Sequence, residues 1–104
     1  MQKRKRKALE SDGWKVGTAQ EFLGLSDDEA ALIDLKLALG RAVRTRRVRK
    51  RLSQADVAAR IRSSQSRVAK MEAGDATVSI DLLVRTLLAL GASRKELGRR
   101  LGVA

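Results

Sequence analysis

The chain has no cysteine, no histidine, no proline and no tyrosine, and only one tryptophan and one phenylalanine in 104 residues. Without cysteine there is neither a disulfide nor a thiolate site. Without histidine the usual general base, the usual zinc ligand and every common nucleophilic dyad are gone, so no enzyme, no metal site and no cofactor is expected. An aromatic content of 2% leaves no stacking platform of the kind that single-strand and RNA readers use. No apolar run approaches the roughly 20 residues a membrane span needs, and the charged N-terminus is followed by no hydrophobic segment. A cytoplasmic protein with no membrane partner is expected.

What is abundant is positive charge: 23 Lys plus Arg against 12 Asp plus Glu, a formal net charge of +11. So basic a chain favours a polyanion, nucleic acid first. With no stacking platform, the expected nucleic acid is double-stranded DNA. Hydrophobic residues, mostly Leu, Ala, Val and Ile, make up 43% of the chain, enough for one small helical core. No alternating strand pattern occurs, and the absence of proline leaves helical stretches uninterrupted.

The most informative segment is LSQADVAARIRSSQSRVAKMEAG, Leu52 to Gly74. Ser53 is a natural N-cap, after which Val57, Ala58 and Ile61 recur at helical spacing; Ser64 caps a second run whose inward positions are Val68 and Met71. Two short amphipathic helices joined by a tight turn form a helix-turn-helix pattern. The outward positions of the second helix are Gln65, Ser66, Arg67 and Lys70. Glutamine matches the donor and acceptor of adenine in the major groove, arginine and lysine match guanine or phosphate, and serine permits close approach.

Around this segment the chain divides into a basic arm (residues 1–12), an N-terminal extension (13–38) and a DNA-binding domain (39–104). The arm opens MQKRKRK, five basic residues in seven, and is either a solubilising tail or a strand for phosphates or a minor groove. Thr18, with Glu21 three residues on, is a candidate cap for a short helix. Trp14 and Phe22 are expected to pin the extension onto the body of the fold or onto a second subunit. Ser26 and Glu29 form a capping box, and Asp27-Asp28-Glu29 suit a first helical turn better than a metal. From Asp27 to about Lys50, Leu32, Leu35, Leu39 and Val43 form an apolar stripe, on one helix or on two joined near Gly40. Its second half, Arg41 to Arg51, carries seven basic residues in eleven and no acid, a repulsion that phosphates would relieve. Arg44, Arg49 and Lys50 are therefore candidate phosphate contacts, as are Ser64 and Arg62 in the turn region. Ser79 caps a further helix ending at Gly91, and Ser93 with Glu96 forms a capping box for a last one.

The register Leu39, Val43, Arg47, Leu52-Ser53-Gln54, Ala58, Ser64-Gln65-Ser66, Val68, Glu72 and Gly74 resembles the Xre, or Cro/cI-type, helix-turn-helix domain of phage repressors and bacterial regulators. The resemblance covers Leu39 to Leu101, about three fifths of the chain. It agrees with the all-α fold of five to six helices that the residue pattern predicts, a Cro/cI-type domain preceded by an N-terminal helical extension and a basic disordered arm. It further implies an ion pair between Arg47 and Glu72, phosphate contacts from Ser53 and Gln54 with Gln54 bracing Gln65, base reading by Gln65 and Ser66, and added contacts from Arg67 and Lys70. Helix capping is the alternative role for Ser53 and Gln54. Three positions depart from the pattern: Arg51 and Arg62 stand where glycine commonly ends a helix, and Arg46 where an apolar residue is usual. The implied function is a repressor that binds a near-palindromic operator as a homodimer, with recognition helices about 34 Å apart. Glu21 to Arg44 resembles more narrowly the HigA-like antitoxins, which implies the alternative of a toxin protein as partner. Non-specific compaction of DNA would explain the charge but not an uncharged Gln65-Ser66 pair at the groove-facing end.

Overall fold

The computed structural model describes residues 21–102. The arm, Trp14 and Thr18 lie outside the described residues. Residues 21–23 are helical, and after them follow α1 (Asp27–Arg49), α2 (Gln54–Arg60), α3 (Gln65–Ala73), α4 (Ile80–Ala89) and α5 (Arg94–Arg100). There is no strand among the described residues, and the fold is all-α. No helix among them is long and apolar enough to cross a membrane.

The described residues fall into two units that divide between Asp34 and Leu35. In the first, Ser26 accepts a hydrogen bond from the Glu29 amide and returns one from its own amide to the Glu29 carboxylate, so the capping box is complete. Phe22 is 57% exposed. Leu32 and Ile33 are exposed as well, so the expected stripe does not begin at Leu32.

In the second unit all five helices, or the loops between them, feed one core. Leu39, Ala42 and Val43 come from α1, Val57 and Ala58 from α2, Val68 and Met71 from α3, Leu83 and Leu87 from α4 and Leu97 from α5. Val78, Leu90 and Ala92 close it from the connections. Thr86, the one buried polar side chain among the described residues, donates back to the Leu82 carbonyl 2.8 Å away and lies 3.4 Å from the Met71 sulfur, so it is not left unsatisfied.

α1 is a single helix through Gly40. A glycine there costs about 1 kcal/mol of helix propensity, and the reason for it is steric. A Cβ on Gly40 would collide with the Met71 carbonyl oxygen of α3. The glycine lets the end of α3 lie directly on the backbone of α1.

Four helices end in the same way. After α1, α2, α3 and α4 the chain turns through a left-handed residue, and the next amide bonds back five residues, as in Leu52 to Arg47, Ser63 to Ala58, Asp75 to Lys70 and Ala92 to Leu87. Gly74 and Gly91 supply that residue after α3 and α4, whereas Arg51 (φ 59°) and Arg62 (φ 55°) supply it after α1 and α2. Each arginine costs roughly 1 kcal/mol relative to glycine. The departure from glycine thus leaves the turn unchanged.

All five helices carry serine caps: Ser26, Ser53, Ser64, Ser79 and Ser93 accept from the amides of Glu29, Asp56, Arg67, Leu82 and Glu96. Asp56 completes a full box with Ser53, an aspartate in the place where glutamate or glutamine is the usual signature. The expected box at Ser93 is only half made, because the Glu96 carboxylate turns instead to Arg46 of α1. That ion pair explains how a basic residue is accommodated at the half-buried position 46.

Two outcomes are expected. Gly40→Ala should destabilise by about 2 kcal/mol, since overpacking against a backbone carbonyl costs up to ~3 kcal/mol and the propensity gain returns only ~1 kcal/mol; a chemical denaturation curve with an unchanged or raised midpoint would refute the close approach. The carboxyls of Glu29, Asp56, Asp75 and Glu96 are all held below their ordinary values, by hydrogen bonds from Ser26, Ser53, Thr77 and Arg46 respectively. Groups lowered in this way stabilise the fold above the unfolded values of 3.8 and 4.5 and lose that contribution as pH falls through the folded ones. Melting temperature should therefore hold from pH 7 to 5 and fall below about pH 4, and a flat profile to pH 2.5 would contradict it.

Candidate nucleic-acid interface

α2 packs on α3 to form the helix-turn-helix. The 3.6-residue period sorts the side chains of α3 without ambiguity. Val68 and Met71 are fully buried, while Gln65, Ser66, Arg67 and Lys70 are exposed. Ser64, Ser66, Arg67 and Lys70 come together around a polar recess of about 170 Å³, lined also by Thr77 and Val78 of the loop after α3. Thr77 carries no signal in the sequence beyond its place in an Asp75-x-Thr77 turn, in which Asp75 accepts from both the amide and the hydroxyl of Thr77. Gln65 stands exposed as the first residue of α3.

What holds α3 in place is a fork of charge-assisted hydrogen bonds. Arg47 of α1 donates from Nε to Glu72 Oε2 at 2.6 Å and from Nη2 to Oε1 at 2.9 Å, and its Nη1 reaches the Leu52 carbonyl at 3.0 Å. The two side chains are 15% and 6% exposed. Glu72 lies in the last turn of α3, the end where the helix dipole disfavours a carboxylate. The bidentate guanidinium offsets that cost. Glu72 in turn holds the Arg47 guanidinium even further up than its ordinary value, against the opposing effect of burial.

Gln54 extends the same network. Its Nε2 donates to Glu72 Oε1 at 3.3 Å, and its carbonyl oxygen is not used in that bond. Ser53 and Ser64 both use their hydroxyl oxygens as caps. A hydroxyl that accepts keeps its proton available to donate, so capping and a phosphate contact are compatible.

The other basic candidates are dispersed. Arg62 shares a recess of about 230 Å³ with Arg60 and Arg85, neither of which stands out in the sequence. Arg44 and Arg49 line an open hollow with Arg41 along one face of α1. Lys50 and Arg46 approach Gly91, in the turn between α4 and α5: a Cβ there would lie 3.8 Å from Lys50 Nζ. Lys36 Nζ donates to the Ala76 carbonyl at 2.8 Å, tying the loop that carries Thr77 to α1.

The Arg47 fork makes a prediction. Removal of Arg47 leaves Glu72 buried without its cation, so Arg47→Ala should cost about 3 kcal/mol, whereas Arg44→Ala on an exposed face should stay within about 0.5 kcal/mol. Equal melting temperatures for the two variants would show that the fork does not hold α3.

In comparisons with known proteins, no curated protein and no solved structure matches the chain. A family profile does, over residues 38–99, from the middle of α1 to the last turn of α5. That match spans more than half of the chain, and its limits enclose the α2–α3 pair, the Arg47 fork and the core around them. The chain belongs to the helix-turn-helix domain family.

Proposed function

We propose that the protein is a sequence-specific regulator that binds double-stranded DNA through α3 and represses transcription by occupying its operator. The observation that carries this reading is the composition of the exposed face of α3: Gln65 and Ser66 at the leading end, Arg67 and Lys70 behind them. Short uncharged groups fit base edges, and the cations that follow, Arg67 at once and Lys70 a turn on, fit guanine or phosphate. Ser53, Gln54, Ser64, Arg62, Arg44, Arg49 and Lys50 supply the candidate phosphate contacts. Two copies bound to a near-palindromic site would present two recognition helices about one helical turn apart. With no ligand or cofactor invoked, repression would follow from occupancy alone, in the cytoplasm at the nucleoid.

A second reading, an antitoxin that also binds a toxin protein, is favoured by one observation. Of the six exposed large hydrophobic residues among those described, Phe22, Leu23, Leu32 and Ile33 fall within one short stretch of the first unit. Co-purification with the product of a neighbouring toxin gene would separate the two readings.

Fluorescence anisotropy with the duplex upstream of the gene and a shuffled duplex, at two salt concentrations, tests the first reading. The upstream duplex should bind about a thousandfold more tightly, with the preference persisting at the higher salt. Gln65→Ala should cost about 1 to 3 kcal/mol on the cognate duplex and little on the shuffled one; equal losses on both would remove base reading by α3.

A further inference from the structure

Apart from α3, the C-terminal ends of α1 and α5 meet around a second charged recess. Arg49 is the last residue of α1, and Arg99 and Arg100 are the last two of α5. With Glu96 they line a recess of about 370 Å³. Glu96 is the only carboxylate among these lining residues, and that group is already engaged by Nη2 of Arg46. The field of the cluster is felt there: the Glu96 carboxyl is lowered by the hydrogen bond from Arg46, and then further by the nearby charges of Arg46, Arg100 and Arg99.

Three guanidiniums, of Arg46, Arg99 and Arg100, thus act on one carboxylate, Arg49 lines the same recess, and the three arginines that line it are exposed. A helix C-terminus welcomes a cation, which accounts for one basic residue at each end but not for three directed at a common space. Like charges brought together repel unless an anion separates them. A second copy of the chain is a poor occupant, because a two-fold contact here would set arginine against arginine. A phosphate oxyanion suits the site, since each guanidinium offers a planar fork of donors to non-bridging oxygens.

We propose that the Arg49–Arg99–Arg100 recess is a second phosphate-binding site, which takes backbone phosphates of the same duplex outside the contact made by α3. It rests on the DNA-binding reading above, and adds two residues, Arg99 and Arg100, that neither the recognition helix nor the turn explains. Such a contact is indifferent to sequence. It strengthens binding to cognate and shuffled duplex alike.

The test is the salt dependence of duplex binding by the full chain. Removing one phosphate contact lowers the slope of log affinity against log salt by about 0.9, so Arg99→Gln with Arg100→Gln should lower it by about 1.8, and Arg49→Gln by about 0.9. Both changes should act equally on cognate and shuffled duplexes. The control is Arg94→Gln with Lys95→Gln, which removes the same charge from exposed positions of the same helix outside the recess and should leave the slope essentially unchanged. Thermal melts check that all variants fold. Equal slopes for recess and control variants, whether both fall or neither does, overturn the proposal. Failure of the parent chain to bind any duplex is a distinct result, and would overturn the DNA-binding reading and the recess together.

Discussion

The structure depends on the ion pair between Arg47 and Glu72. Here α1, α3 and the start of α2 are joined by polar contacts: the guanidinium spans Glu72 and the Leu52 carbonyl, and Gln54 adds its amide to the same carboxylate. Neither partner would sit comfortably alone. Glu72 is nearly buried at the unfavourable end of a helix, and Arg47 belongs to a run of like charges that repel each other. Each corrects the fault of the other, and in doing so fixes the angle at which α3 leaves the body of the domain. Steric fit at Gly40 acts on the same helix. The Met71 carbonyl occupies the space where a side chain would be, so α3 is held by charge at Glu72 and by contact one residue earlier.

That rigidity frees the rest of α3 to be polar. Val68 and Met71 carry its packing, and Gln65, Ser66, Arg67 and Lys70 are exposed without cost to the core. The loop after it is fastened as well, by Lys36 to Ala76 and by Asp75 to Thr77, so the loop residues that line the recess with Lys70 are held. A site on rigid elements keeps its geometry before the ligand arrives, which lowers the entropic cost of binding.

The basic residues separate into kinds that composition alone does not distinguish. Arg46 and Arg47 are structural, each committed to a carboxylate. Arg51 and Arg62 occupy left-handed turns that glycine would fill with less strain, and so add charge at some expense of stability. Arg49, Arg99 and Arg100 gather in a recess to which α3 contributes no residue. A formal charge of +11 is therefore not a uniform coat but several placements with different physical reasons.

By itself the sequence determined the features that depend on near neighbours. Serine before each helix, the inward spacing of Val57 and Ala58 and of Val68 and Met71, and the exposed face of α3 follow from helical period and cap chemistry, which act over three or four residues. The Arg47–Glu72 pair was legible too, but through resemblance rather than spacing, since 25 residues separate the partners. Only the tertiary structure decided what depends on distant contacts. Glu96 abandons its cap for Arg46, 50 residues away, because a charge-assisted hydrogen bond outweighs a bond to an exposed amide. Gly40 lies within a helix rather than ending one, because the carbonyl that demands it belongs to α3. Thr77 faces the recess, and Arg99 and Arg100 join Arg49, because folding brings together helix ends and loops that no local period connects.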